Sequence, residues 1–260
     1  FTSVTPIDLV PFTLAETFSS PKDAGKWMMG YWDNPSPIKA IDGLKQLVQT
    51  DPTWVNDNLD VLAFFRKIYS NNPFLLKNMA MHFNSLPIND KKKFLLISAL
   101  SGDASLTPLI GKTSGDKELI AYADFARTVK FPDVNGDITT TVQLNILWSE
   151  FLATGKYDPV KKIVSALSLK KYDGVTDKLN PGGKTTSEQT KKQAAYEATY
   201  RSAIWSLTSN CKQIPLVLKY CAFMYERETL AKDVRDQLGI LLHRVQKELK
   251  EKRSGDNVSA

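Results

Sequence analysis

Histidine and cysteine are scarce in this chain, with two of each among 260 residues. His82 and His243 stand far apart inside helical patterns, and neither Cys-x-x-Cys nor His-x-x-x-His spacing occurs, so a zinc site lacks its ligands. No metal and no other cofactor is expected. No Gly-x-Ser-x-Gly elbow presents a serine to a histidine. The 28 acidic residues show no spacing that singles out a pair for acid–base work, so an enzyme is not the expected class. Long apolar runs are also missing. The stretch from Lys93 to Leu100 falls well short of the roughly 18 to 20 residues a membrane span needs and reads as core helix. Sustained alternation is missing too, since Ile138-Thr139-Thr140-Thr141-Val142 is the one short stretch that tempts a strand assignment. The cysteines, Cys211 and Cys221, flank Pro215 and would meet if two helices turned back on each other there. Buried free thiols and a disulfide are both open readings.

Three motif fragments fail on their spacing. Gly111-Lys112-Thr113 and Gly183-Lys184-Thr185 end like a phosphate-binding loop. The glycine required five residues before each is Leu106 in one case and Lys178 in the other, and no strand precedes either triplet. Asp133-Val134-Asn135-Gly136-Asp137 begins like a calcium loop, but its sixth and twelfth positions are Ile138 and Leu144. It reads as a turn in which Asp137 caps the next helix.

What the sequence does contain is helical punctuation. The composition, 42% hydrophobic and 24% charged, is that of a globular protein. Ser20-Pro21 reads as an N-cap with proline at the first helical position, and Asn34-Pro35-Ser36-Pro37 ends that helix and opens the next. Apolar residues then recur at spacings of three and four between Asx, Ser and Pro breaks. One helix from Ile38 stops before Asp51-Pro52, another carries Leu59 to Tyr69, and later ones follow Pro73, Asn89, Lys117 and Ile138. Gly155 sits where a left-handed C-terminal residue is expected. A long helix from Thr186 to Lys212 carries Ala195, Ala198, Ser202 and Trp205 along one stripe. Two more helices start at Pro215 and Thr229.

The expected fold is all-α, an irregular, solenoid-like array of about 11 or 12 antiparallel helices. Residues 1–20 read as an extended N-terminal arm, 21–253 as a single helical domain and 254–260 as a disordered tail. The stretch 168–185, with Asn180-Pro181-Gly182-Gly183, reads as a mobile loop. Residue 1 is Phe rather than Met, which fits either a trimmed chain or a mature product that has lost an export segment, so a periplasmic or secreted location is one open reading.

The net charge is +6. The steepest local imbalance lies in segment 161–192, where Lys161, Lys162, Lys170, Lys171, Lys178, Lys184, Lys191 and Lys192 face only Asp173, Asp177 and Glu188. These lysines are candidates for docking on an anionic membrane surface. Trp27, Tyr31, Trp32 and Trp54 are candidates for lining a groove, beside the default reading that aromatics at helical spacing pack in the core. Leu230, Val234, Leu238, Leu241, Val245 and Leu249 form a seam suited to self-association or to packing on the preceding helices. The basic residues neither interleave with aromatics nor build a recognition helix, so nucleic acid is not an expected partner.

Three stretches belong together: Gly30-Tyr31-Trp32-Asp33-Asn34-Pro35-Ser36-Pro37, Leu147-Trp148-Ser149-Glu150-Phe151-Leu152 running to Gly155 and Asp158-Pro159, and Ala203-Ile204-Trp205-Ser206-Leu207-Thr208. With these the chain resembles a family of uncharacterised bacterial all-helical proteins. The resemblance implies an all-helical fold and a bacterial origin, and supplies no activity or ligand. The functional expectation is a non-enzymatic helical binding or scaffolding protein that contacts a protein partner. The alternative is a secreted effector or peripheral protein that binds anionic lipid through segment 161–192.

Overall fold

Polar caps and prolines start the helices in the computed structural model, which describes residues 17–113, 115–178 and 187–256. Ser20 accepts a hydrogen bond from the Asp23 N–H at the head of α1 (Pro21–Gly30). After a 3-10 turn, Pro37–Lys39, comes α2 (Ala40–Leu47). Asp51 accepts from the Thr53 and Trp54 N–H groups and opens α3 (Pro52–Asp57), a short helix absent from the sequence reading. The chain continues through α4 (Leu59–Asn71), α5 (Pro73–His82), α6 (Ile88–Ser101), α7 (Asp103–Ile110) and α8 (Lys117–Thr128). Asp116 caps α8 through the Glu118 and Leu119 N–H groups.

The cap of α9 (Thr141–Thr154) differs from expectation. Thr140, not Asp137, accepts from the Gln143 N–H, and the Gln143 side chain reaches back to the Thr140 N–H in a capping box. The short Thr-rich run is therefore the extended approach to a helix, with no strand partner among the described residues. Gly155 ends α9 in the left-handed conformation, as its position predicts. Then follow α10 (Tyr157–Ser165), α11 (Glu188–Gln213), α12 (Pro215–Arg227) and α13 (Lys232–Asp256). The fold is all-α, with thirteen α-helices and no strand among the described residues.

The chain gathers into two compact units, Phe1–Phe131 with Leu152–Thr154, and Pro132–Phe151 with Gly155–Ala260. In the first, α6 packs against α4, α7 and α8. Its Phe94, Leu95, Leu96 and Ile97 are fully buried, as are Leu62, Phe64 and Phe65 of α4. Trp27 lies edge-on to Tyr31 and Phe64, and Phe18 rests against it while donating its N–H to Asp42 at 2.7 Å. Most of the N-terminal arm read from the sequence, residues 1–16, lies outside the described residues.

In the second unit α11, α12 and α13 run up, down and up. α11 and α13 are parallel because Tyr200 bonds Gln237 while, further along both helices, Lys212 pairs with Glu248. Val234, Leu238, Leu241 and Val245 are buried in this packing. Of the two readings of the seam, packing on the chain's own helices is the one observed, not self-association: those helices cover these four residues, and Leu230 and Leu249 are half-buried. The stripe read on α11 is also displaced. Tyr200, Ala203, Leu207 and Cys211 face inward, whereas Ala195, Ala198 and Trp205 face solvent. Cys211 and Cys221 are free, buried thiols.

Candidate functional site

Residues 168–178, read as the first part of a mobile loop, are tied down. Ala166–Tyr172 forms a 3-10 helix that packs on α11 and α13, and a further turn, Thr176–Lys178, follows it. The tie is Glu197 of α11, whose side chain is 2% exposed. Its carboxylate accepts the Gly174 N–H at 2.8 Å and the Thr176 N–H at 2.7 Å, and it pairs with the Arg201 guanidinium one helical turn on. Gly174 has φ +83°, a left-handed turn that brings both N–H groups to one carboxylate and that a side chain rarely tolerates. Burial raises the Glu197 pKa, but hydrogen bonds from Thr176 and Gly174 and the charge of Arg201 outweigh it and hold the group below its usual range. The remainder of the stretch, residues 179–186, lies outside the described residues.

Beside this clamp lies a cleft of about 440 Å³. Lys170 and Asp173 form one edge, Tyr200, Arg201, Ile204 and Thr208 come from α11, and Gln237, Ile240, Leu241 and Arg244 come from α13. Tyr200 donates its hydroxyl to Gln237 at 2.8 Å, and the Lys170 ammonium lies 5.2 Å from the Tyr200 ring centre. Lys170 pairs with Asp173 at 2.5 Å, and Arg201 pairs with Asp173, Asp177 and Glu197. The basic groups along this edge are thus engaged by the chain's own carboxylates, except Arg244, which has no ion pair among the described residues. The cleft is an organised lattice of charges rather than a free anion trap.

The exposed apolar side chains of α11 and α13 are more distinctive. Trp205 is 73% exposed in the middle of a 26-residue helix, and Ile240 of α13 is 56% exposed. Helical spacing puts Trp205 one turn beyond Arg201 on the same face, and its neighbour Ile204 lines the cleft with Ile240. Periodicity alone does not reveal this, because an indole at helical spacing reads by default as core.

Four of the lysines singled out from the sequence, Lys161, Lys162, Lys170 and Lys191, are engaged by other side chains of the chain. Lys161 pairs with Glu228 at 2.7 Å, and Glu228 also accepts the Tyr157 hydroxyl at 2.6 Å, a link between α10 and α12. Lys162 bonds Asn135, and Lys191 pairs with Glu188. Lys171 and Lys192 lie over Tyr172 and Tyr196, whose rings are 4.9 Å apart. The Lys178 side chain and all of Lys184 are outside the described residues. Of the four groove aromatics, Tyr31 at 4% exposed and Trp27, packed against Phe64 and Phe65, follow the core-packing reading and not the groove one, and Trp32 and Trp54 are half-buried. The opening aromatic cluster serves the first unit's core because its rings stack on one another rather than on open space.

His82 is half-buried at the end of α5 and His243 is exposed on α13. Among the described residues no three His, Cys, Asp or Glu side chains gather as metal ligands would, and no helix is long and apolar enough to cross a membrane. No protein-family model, no curated protein and no solved structure matches the chain.

Proposed function

We propose that this chain is a non-enzymatic helical binding protein, and that the α11/α13 face of its second unit is where it meets a protein partner. The observation that carries the reading is Trp205, 73% exposed beside Arg201. Tryptophan and arginine are the residues that most often dominate interface energies. Holding such an indole in water gains nothing for the fold. Arg201 is oriented in advance by Asp173 and Glu197, which lowers the ordering cost of a complex.

The test is site-specific photo-crosslinking from position 205 in extract of the native host, followed by affinity measurement with the captured protein in purified form. Trp205→Ala is expected to weaken binding by about 2 kcal/mol or more, roughly thirtyfold. Unchanged affinity in Trp205→Ala and Arg201→Ala would reject this face. An anionic membrane surface is the competing reading. What favours it is Lys171 and Lys192, which make no ion pair among the described residues and flank the Tyr172–Tyr196 pair.

A further inference from the structure

The first unit holds a second concavity, of about 390 Å³, lined by Arg66 of α4, Ala99 and Leu100 of α6, Gly102, and the end of α8 from Ala126 to Phe131. Three cations, Arg66, Arg127 and Lys130, border it, and no carboxylate is among its lining residues. Arg127 has a partner outside the lining, Asp124 at 2.9 Å, in a pair exposed on both sides. Arg66 and Lys130 make no ion pair among the described residues. The Arg66 guanidinium lies 5.0 Å from the centre of the Phe131 ring, which fixes its plane without using its N–H donors.

The structural alternative is that these cations merely offset the C-terminal ends of α6 and α8. A helix C-terminus carries roughly half a negative charge, so two of them with Asp124 amount to about two negative charges against three positive ones. A positive excess is left over, and the donors of Arg66 and Lys130 are not used in any ion pair among the described residues. The remaining walls, Ala99, Leu100, Val129 and Phe131, are apolar and leave more room than a bare oxyanion needs.

We propose that this pocket binds a phosphate-class oxyanion carried on a small organic body, a phosphate monoester. A planar guanidinium fork presents paired N–H donors to two oxygens, and a lysine adds a point charge. The proposal is independent of the α11/α13 face, because every residue in it belongs to the first unit.

Isothermal titration with inorganic phosphate and with glycerol 3-phosphate, at ionic strength held constant with chloride, tests it on the full chain. Saturable binding is expected, weakened about tenfold in Arg66→Gln and in Lys130→Gln and strengthened a few-fold in Asp124→Asn, which frees Arg127. All three substituted side chains are exposed, and circular dichroism of each variant confirms that it is folded. Absence of saturable binding by either probe up to 10 mM, or equal binding in wild type and both weakened variants, would overturn the proposal. Vesicles containing phosphatidic acid separate the sources. Uptake that Arg66→Gln abolishes assigns the monoester to a lipid headgroup, and binding of the soluble probes without vesicle uptake assigns it to a soluble ester.

Discussion

Glu197 shows how much one side chain organises. Its carboxylate satisfies two backbone N–H groups and one guanidinium while almost wholly removed from water. Glu197→Ala strands those donors and is expected to cost roughly 1 to 3 kcal/mol, read as a lower denaturation midpoint. The same group sets a pH response. Its folded pKa lies below the ordinary 4.5, so its stabilisation is complete above that value and is lost as pH falls through the depressed folded one. Amide exchange at Gly174 and Thr176 should therefore accelerate selectively on acidification below the ordinary carboxylate range, and unchanged protection there would refute the clamp. Gly43 makes a second residue-scale prediction. A Cβ at this position would sit 2.7 Å from Trp27 Cζ3, on a ring held by Phe18, Tyr31, Phe64 and Phe65. Gly43→Ala gains about 1 kcal/mol of helix propensity but overpacks the ring at about 1 to 3 kcal/mol. Net destabilisation by urea titration is the expected result.

At the scale of elements, the start of α9 depends on one glutamine. Gln143 is 7% exposed, accepts from the Thr139 and Thr140 N–H groups, and donates to the Asp133 and Asp137 carbonyls. Gln143→Ala is expected to destabilise by about 2 kcal/mol, more than Thr140→Ala at about 1 kcal/mol, in matched thermal melts. Equal losses would mean that the capping box, not the turn beneath it, is what Gln143 supports. Helix starts of this kind were legible at Ser20, Pro73 and Pro215 because a cap or proline acts within a few residues. The Asp137 assignment failed because two acceptors, Asp137 and Thr140, compete within one turn, and the reach-back by Gln143 decides between them. The stripe on α11 was misplaced for a related reason. Nearly every face of that helix carries some apolar or small residue, so periodicity alone does not choose the inward one.

Across the whole molecule, the positive excess of +6 would draw the chain weakly to any anionic surface. Lys161, Lys170 and Lys191 are paired with carboxylates, and exposed charges are screened beyond about 8 Å at physiological salt. Sedimentation with phosphatidylglycerol vesicles at that salt is accordingly expected to match sedimentation with neutral vesicles. Retention by anionic vesicles alone, lost in Lys171→Glu and Lys192→Glu, would favour the membrane reading instead. The sequence by itself determined the all-α class, most helix boundaries and the absence of the familiar catalytic and metal-binding motifs, since these depend on local spacing and on which residue types are present. Only the tertiary structure decided that Lys161, Lys162, Lys170 and Lys191 engage partners of their own while Lys171 and Lys192 flank one tyrosine pair, that Trp27 packs on the buried rings of the first unit while Trp205 stands in water, and that Arg66 meets Arg127 and Lys130 around one pocket. Such juxtapositions depend on which helix faces pack together, and that choice is made by contacts between residues far apart in the chain.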